Sequence, residues 1–189
     1  LYSTATTQIT NGSFNGNSSY NGGGVYNTNA FTSNGTTYTA NTATNSGGGL
    51  YNTYATAPIT LSNVTFGSGT AAGANTAIYG GAIYNLGNMN VSSNSRFQYN
   101  TATENGGAIY NSGTENISNA TFTANTASTS GGAIYNSGTS TITNTTFGSG
   151  SAAGANSAAN GGAIYNAGTL NVNTNSRFQY NTATQNGGA

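Results

Sequence analysis

The phrase Gly80-Gly81-Ala82-Ile83-Tyr84-Asn85 returns along the whole chain. It reads GGGVYN ending at Asn27, GGGLYN ending at Asn52, and GGAIYN ending at Asn85, Asn111, Asn136 and Asn166, with a further copy begun at Gly187-Gly188-Ala189. With the third residue of each phrase as a marker, the spacings are 25, 33, 26, 25, 30 and 26 residues. Self-similarity at such a spacing is the signature of a solenoid, in which each unit buries its apolar face only by stacking on its neighbours. The expected architecture is an all-β parallel β-helix (β-solenoid) of about seven coils of roughly 25 residues. Residues 1–189 form a single domain on this reading, and both ends of the sequence fall inside a repeat, so a piece of a longer repeat protein is expected.

A second marker runs in phase with the first: an aromatic with Asn three positions on, at Phe14 and Asn17, Tyr38 and Asn41, Phe97 and Asn100, Phe122 and Asn125, and Phe178 and Asn181. Two units are longer. In these, Gly69 and Gly150 stand where the asparagine is expected after Phe66 and Phe147, and five extra residues enter within TFGSGTAAGAN and TFGSGSAAGAN. The asparagine is expected to be replaced in these coils, and the extra residues to loop out on one side of the rod. The long units begin at Thr65 and Thr146, 81 residues apart, and Arg96 and Arg177, each followed by FQYNTAT, are also 81 apart. A long repeat therefore spans about 65–145 and restarts at 146.

Within a unit the hydrophobic period is two, the strand signature. Met89 and Val91, Leu170 and Val172, and Ile117 and Ile142 are expected to point inward, in coils of two or three short strands separated by Gly and Asn corners. Val25, Leu50, Ile83, Ile109, Ile134 and Ile164 vary only among aliphatics and form the expected core ladder. Alternation then sends Tyr26, Tyr51, Tyr84, Tyr110, Tyr135 and Tyr165 outward as an aromatic ladder available for binding or assembly. The FxxN residues Phe97, Asn100, Phe122, Asn125, Phe178 and Asn181 are assigned to a corner, where stacked asparagine amides can bond from coil to coil. Pro58 is assigned to an extended link at a turn or strand edge.

The pairing of GGA[ILV] with FxxN resembles the repeats of the polymorphic outer-membrane proteins, the autotransporter adhesins of chlamydiae and similar repeat proteins. The matching stretches are Gly81-Ala82-Ile83, Gly107-Ala108-Ile109, Gly132-Ala133-Ile134 and Gly162-Ala163-Ile164, with Phe97 to Asn100, Phe122 to Asn125 and Phe178 to Asn181. The resemblance implies a right-handed β-helix displayed outside the cell, in adhesion or surface architecture. This chain departs from the family pattern in its low charge and in the regularity of its 81-residue repeat.

Composition narrows the function. The chain has four charged side chains, Arg96, Arg177, Glu104 and Glu115, and no Asp, Lys, His or Cys. Neutralising phosphates requires Lys or Arg in numbers, so a nucleic-acid partner is not expected. No apolar run reaches the length of a membrane span. Metal and cofactor binding are not expected either, and acid/base chemistry on sugars has only two carboxylates to draw on, so an enzyme of the polysaccharide-active β-helix kind is the least favoured reading. The expectation is a non-enzymatic extracellular or cell-surface protein, an adhesin shaft or a self-assembling fibre or sheath subunit, whose partner is another copy, a surface glycan or a host cell. A glycan-binding or ice-binding solenoid is the alternative; ice binding would need a T-x-T on one flat strand of every coil, whereas NTAT occurs at 41–44, 100–103 and 181–184 and is interrupted elsewhere. Sequons at Asn11, Asn17, Asn34, Asn63, Asn90, Asn116, Asn119 and Asn144 permit glycosylation of an exported chain.

Overall fold

A computed structural model describes residues 1–53 and 57–189. Short strands separated by single-residue or two-residue corners wind the chain into a parallel β-solenoid. Coil 4 is representative, with strands Ile83–Asn85, Asn88–Ser92, Ser95–Gln98 and Thr101–Asn105. Equivalent strands of successive coils pair in parallel, giving four sheets of seven strands each among the described residues. The coil thus has four strands where the sequence reading expected two or three. Its turns are too tight to interrupt the alternation for long, so each straight segment is a strand of its own.

Three of the four corners turn through left-handed backbone. Between the second and third sheets this conformation falls on Asn11, Asn63, Asn119 and Asn144, with φ between 49° and 52°. Asparagine tolerates that region better than other side chains bearing a Cβ, which explains why four of the sequons recur at one corner. At the glycine corner the two glycines of each phrase do different jobs. Gly106 has φ of 70°, whereas a Cβ on Gly107 would lie 2.1 Å from the carbonyl oxygen of Gly132 in the next coil. The first glycine makes the turn and the second lets the coils approach.

Val25, Leu50, Ile83, Ile109, Ile134 and Ile164 line the interior of the first sheet, and Ile164 is the least covered of them. Met89, Val91, Ile117 and Ile142 are buried in the second sheet; Leu170 is partly buried and Val172 exposed in coil 7. Facing them from the third sheet, Phe14, Tyr38, Phe66, Phe97, Phe122, Phe147 and Phe178 stack ring on ring at 4.3 to 5.2 Å between centroids. The FxxN aromatics therefore lie within strands and point inward, and the corner itself falls on the residue before the asparagine. The fourth sheet contributes only small side chains, Ala102, Ala127 and Ala158. Pro58 is exposed immediately before the strand Ile59–Ser62, where its missing N–H leaves no ladder bond unmade.

Candidate functional site

The first sheet has the simplest strand, three residues of which the outer two are buried and the central tyrosine is half-exposed. Register holds Tyr2, Tyr26, Tyr51, Tyr84, Tyr110, Tyr135 and Tyr165 in one column. Neighbouring rings are stacked at 4.7 to 5.3 Å between centroids. Tyr79, on the fourth sheet, meets Tyr110 edge-on at 5.7 Å. Hydrogen bonding to Glu104 raises the Tyr79 phenol above its ordinary range. The column is a continuous aromatic wall, open to solvent along one side.

Behind it runs the first of two asparagine ladders. The Asn27 amide donates to Asn52, and the pattern continues through Asn85, Asn111, Asn136 and Asn166 at 2.7 to 3.1 Å. The same amides also donate within their own turns, as Asn85 does to the Gly87 carbonyl at 3.0 Å. The sequence analysis had no separate role for this asparagine, although its invariance behind Tyr was the available signal.

The second ladder lies at the FxxN corner. Each Nδ2 donates both to the next coil's asparagine and to the carbonyl of the previous coil's aromatic, as Asn100 does to Asn125 and to Phe66, both at 3.0 Å. Each Oδ1 accepts from the previous coil's backbone N–H and Nδ2, as Asn125 does from Asn100. Asn100, Asn125 and Asn181 occupy this ladder, and so, contrary to the sequence expectation, do Asn75 and Asn156. In the long coils the asparagine is displaced rather than replaced. The extra residues enter between the aromatic and its asparagine, form the short 3-10 turns Ala71–Gly73 and Ala152–Gly154, and rejoin the corner in phase.

These paired features bear on ancestry. Residues 94–112 and 119–137 match the family model of the Chlamydia polymorphic membrane protein repeat. The chain carries polymorphic membrane protein repeats. Each matched stretch contains the third and fourth strands of one coil, the glycine corner and the first strand of the next. The polymorphic membrane protein repeat is thus a unit that straddles two coils and includes both an FxxN and a GGAIYN asparagine. Repeat and solenoid together fit a surface protein of a non-enzymatic family. Comparison with the curated proteins and with the solved structures found no match.

On this scaffold the two carboxylates are kept apart. Glu104 is exposed on the outside of the fourth sheet, whereas Glu115 is fully buried on the inside of the second. Ser140 Oγ donates to Glu115 Oε1, and Oε2 has no hydrogen-bond partner. No polymorphic membrane protein repeat therefore brings two acids to one surface in this chain. The hydroxyl column of the fourth sheet is more regular than NTAT alone indicates: Ser18, Thr42, Thr76, Thr101, Thr126, Ser157 and Thr182 are in register. The column two residues on is broken by Ile78 and Ala159 in the long coils. Among the described residues no helix is long and apolar enough to cross a membrane.

Proposed function

We propose that this chain is a non-enzymatic, extracellular β-solenoid that serves as the shaft of a surface adhesin. The observation that carries the reading is the coincidence of the polymorphic membrane protein repeats with the coil-building strands, so that the family's motif and the mechanical unit of the rod are the same residues. Two asparagine ladders and two aromatic columns running coil to coil suit a part whose work is to hold length and stiffness. The outer tyrosine column is then the face presented to a glycan or a host-cell partner. A second reading, a self-assembling fibre or sheath subunit, is favoured by zero formal net charge, which leaves little repulsion between copies.

Electron microscopy of the protein across a range of concentrations separates the two. Isolated rods, monodisperse throughout, support the shaft; ordered filaments or sheets that grow with concentration support the fibre and overturn the shaft. Thermal hysteresis at high protein concentration would instead bring forward the ice-binding alternative.

A further inference from the structure

The two insertions stand on one side of the rod, in coils 3 and 6, three coils or roughly 14 Å apart at the ordinary strand spacing. Each leans back on the coil before it: the N–H of Ala40 donates to the Gly73 carbonyl, and that of Ala124 to the Gly154 carbonyl, at 3.0 and 3.1 Å. The corner of coil 4 is left uncovered between them, its Tyr99 N–H bonding to Thr123 of the next coil. The result is a cleft of about 320 Å³ walled by Gly69 on one side and by Ser149, Ser151 and Gly154 on the other, with Gln98, Tyr99 and Thr123 on its floor.

Tyr99 is an unusual choice for that floor. Its φ is 58°, and the equivalent corner residues are Gly16, Ala40 and Ala124. A bulky side chain is disfavoured in left-handed backbone, and the corner is built equally well by alanine. The tyrosine therefore contributes nothing the turn requires. Gln98 is fixed beside it, because Gly67 approaches so closely that a Cβ there would lie 1.8 Å from the Gln98 carbonyl oxygen. Arg96, one of two cations in the chain, shares the outer face of the same strand two residues back. The set is repeated 81 residues on as Arg177, Gln179 and Tyr180.

We propose that this cleft binds an acidic oligosaccharide, with Tyr99 as a stacking platform for a sugar ring, Gln98 and Ser149 or Ser151 bonding to hydroxyls, and Arg96 selecting a carboxylate. An aromatic face matches the apolar C–H face of a pyranose, and a few convergent amides and hydroxyls fix its orientation. Guanidinium is the side chain whose geometry matches a carboxylate in bidentate fashion. The proposal rests on the reading of the chain as extracellular, since that is where such sugars are met, and it places a binding site on the insertion side, away from the outer tyrosine column.

Calorimetric titration of the chain with sialyllactose, trigalacturonate and lactose tests it. The two acidic sugars are expected to bind and lactose to bind more weakly. Tyr99→Ala, which places at this corner the residue already found at Ala40 and Ala124, should weaken binding at least about tenfold, as loss of one aromatic anchor does. Tyr99→Phe should retain binding, and Arg96→Gln should abolish the preference for acidic sugars, with unchanged circular dichroism in each case. No binding of any probe, an unchanged affinity in Tyr99→Ala, or equal affinity for lactose and sialyllactose would overturn the assignment. Failure of all three sugars with rods that remain monodisperse would leave the shaft reading standing, so the two can fail separately.

Discussion

The Ser140 hydroxyl donates a 2.7 Å hydrogen bond to Glu115 Oε1 from the neighbouring coil, inside the solenoid. Register puts Glu115 in the column of Met89, Ser140 and Leu170, so a carboxyl occupies a position that apolar side chains fill elsewhere. Burial pushes its pKa up to about 7, with the Ser140 bond opposing the rise.

Stability should therefore fall as pH rises. The raised folded pKa means that the folded chain holds a proton the unfolded chain has lost once pH exceeds the ordinary carboxyl value of about 4.5. Stability contributed by the neutral acid is fully present below that value and is lost progressively up to about pH 7, amounting to about 3 kcal/mol. Glu115→Met, which copies coil 4, should remove this slope and raise stability at pH 8 by a similar amount. Urea unfolding of both proteins at pH 4.5 and pH 8 measures it, and equal slopes would contradict the account.

The FxxN ladder should be intolerant of gaps. In Asn100→Ala the Asn75 backbone N–H and Nδ2 both lose the acceptor they share, and the Phe66 carbonyl loses its donor. Leaving buried polar groups unpaired costs 1–3 kcal/mol each before relaxation, so a loss of about 3 kcal/mol is expected. Asn75→Ala should cost as much as Asn100→Ala if the displaced asparagine is a full member of the ladder. A cost below about 1 kcal/mol for Asn75→Ala would contradict its place there.

The two aromatic columns look alike in ring spacing but should differ in energy. Phe97→Ala removes a fully buried ring, which typically costs about 3–5 kcal/mol. Tyr84→Ala removes a half-exposed ring stacked between Tyr51 and Tyr110, and about 1–2 kcal/mol is expected from two stacked pairs. Denaturant midpoints of the two variants should keep that order.

Glycines should fall into two classes. Gly107→Ala drives a methyl against the Gly132 carbonyl and should prevent neighbouring coils from closing, with loss of cooperative unfolding. Gly150→Ala, whose Cβ would meet nothing within 4 Å, should change stability by less than about 0.5 kcal/mol. Circular dichroism melts of both variants distinguish these outcomes.

Much of the fold was legible because parallel, in-register stacking makes each coil position a column, and a column demands the same residue type in every repeat. That is why GGAIYN announces itself. Three features were not legible, each for a local reason. Asn75 and Asn156 follow their aromatics by nine residues rather than three, so a fixed-spacing motif passes over them. The fourth strand of the coil is short and polar outside with alanine inside, and alanine gives little hydrophobic signal. Glu115 sits between Thr114 and Asn116 in a run of polar residues, where nothing in the sequence marks an acid as inward-facing. The cleft depends on which way the insertions lean, and that is set by backbone bonds to Ala40 and Ala124.

Coils 3 and 6 depart from and rejoin the stack at the same corner, with Gly67 and Gly148 in the same close approach to the following coil. A three-coil cassette therefore begins and ends on interchangeable surfaces. Duplication or deletion of such a cassette by unequal crossing-over would preserve every ladder and alter only the reach of the rod. Length thus becomes a heritable quantity, adjustable in steps of roughly 14 Å without any new packing having to evolve.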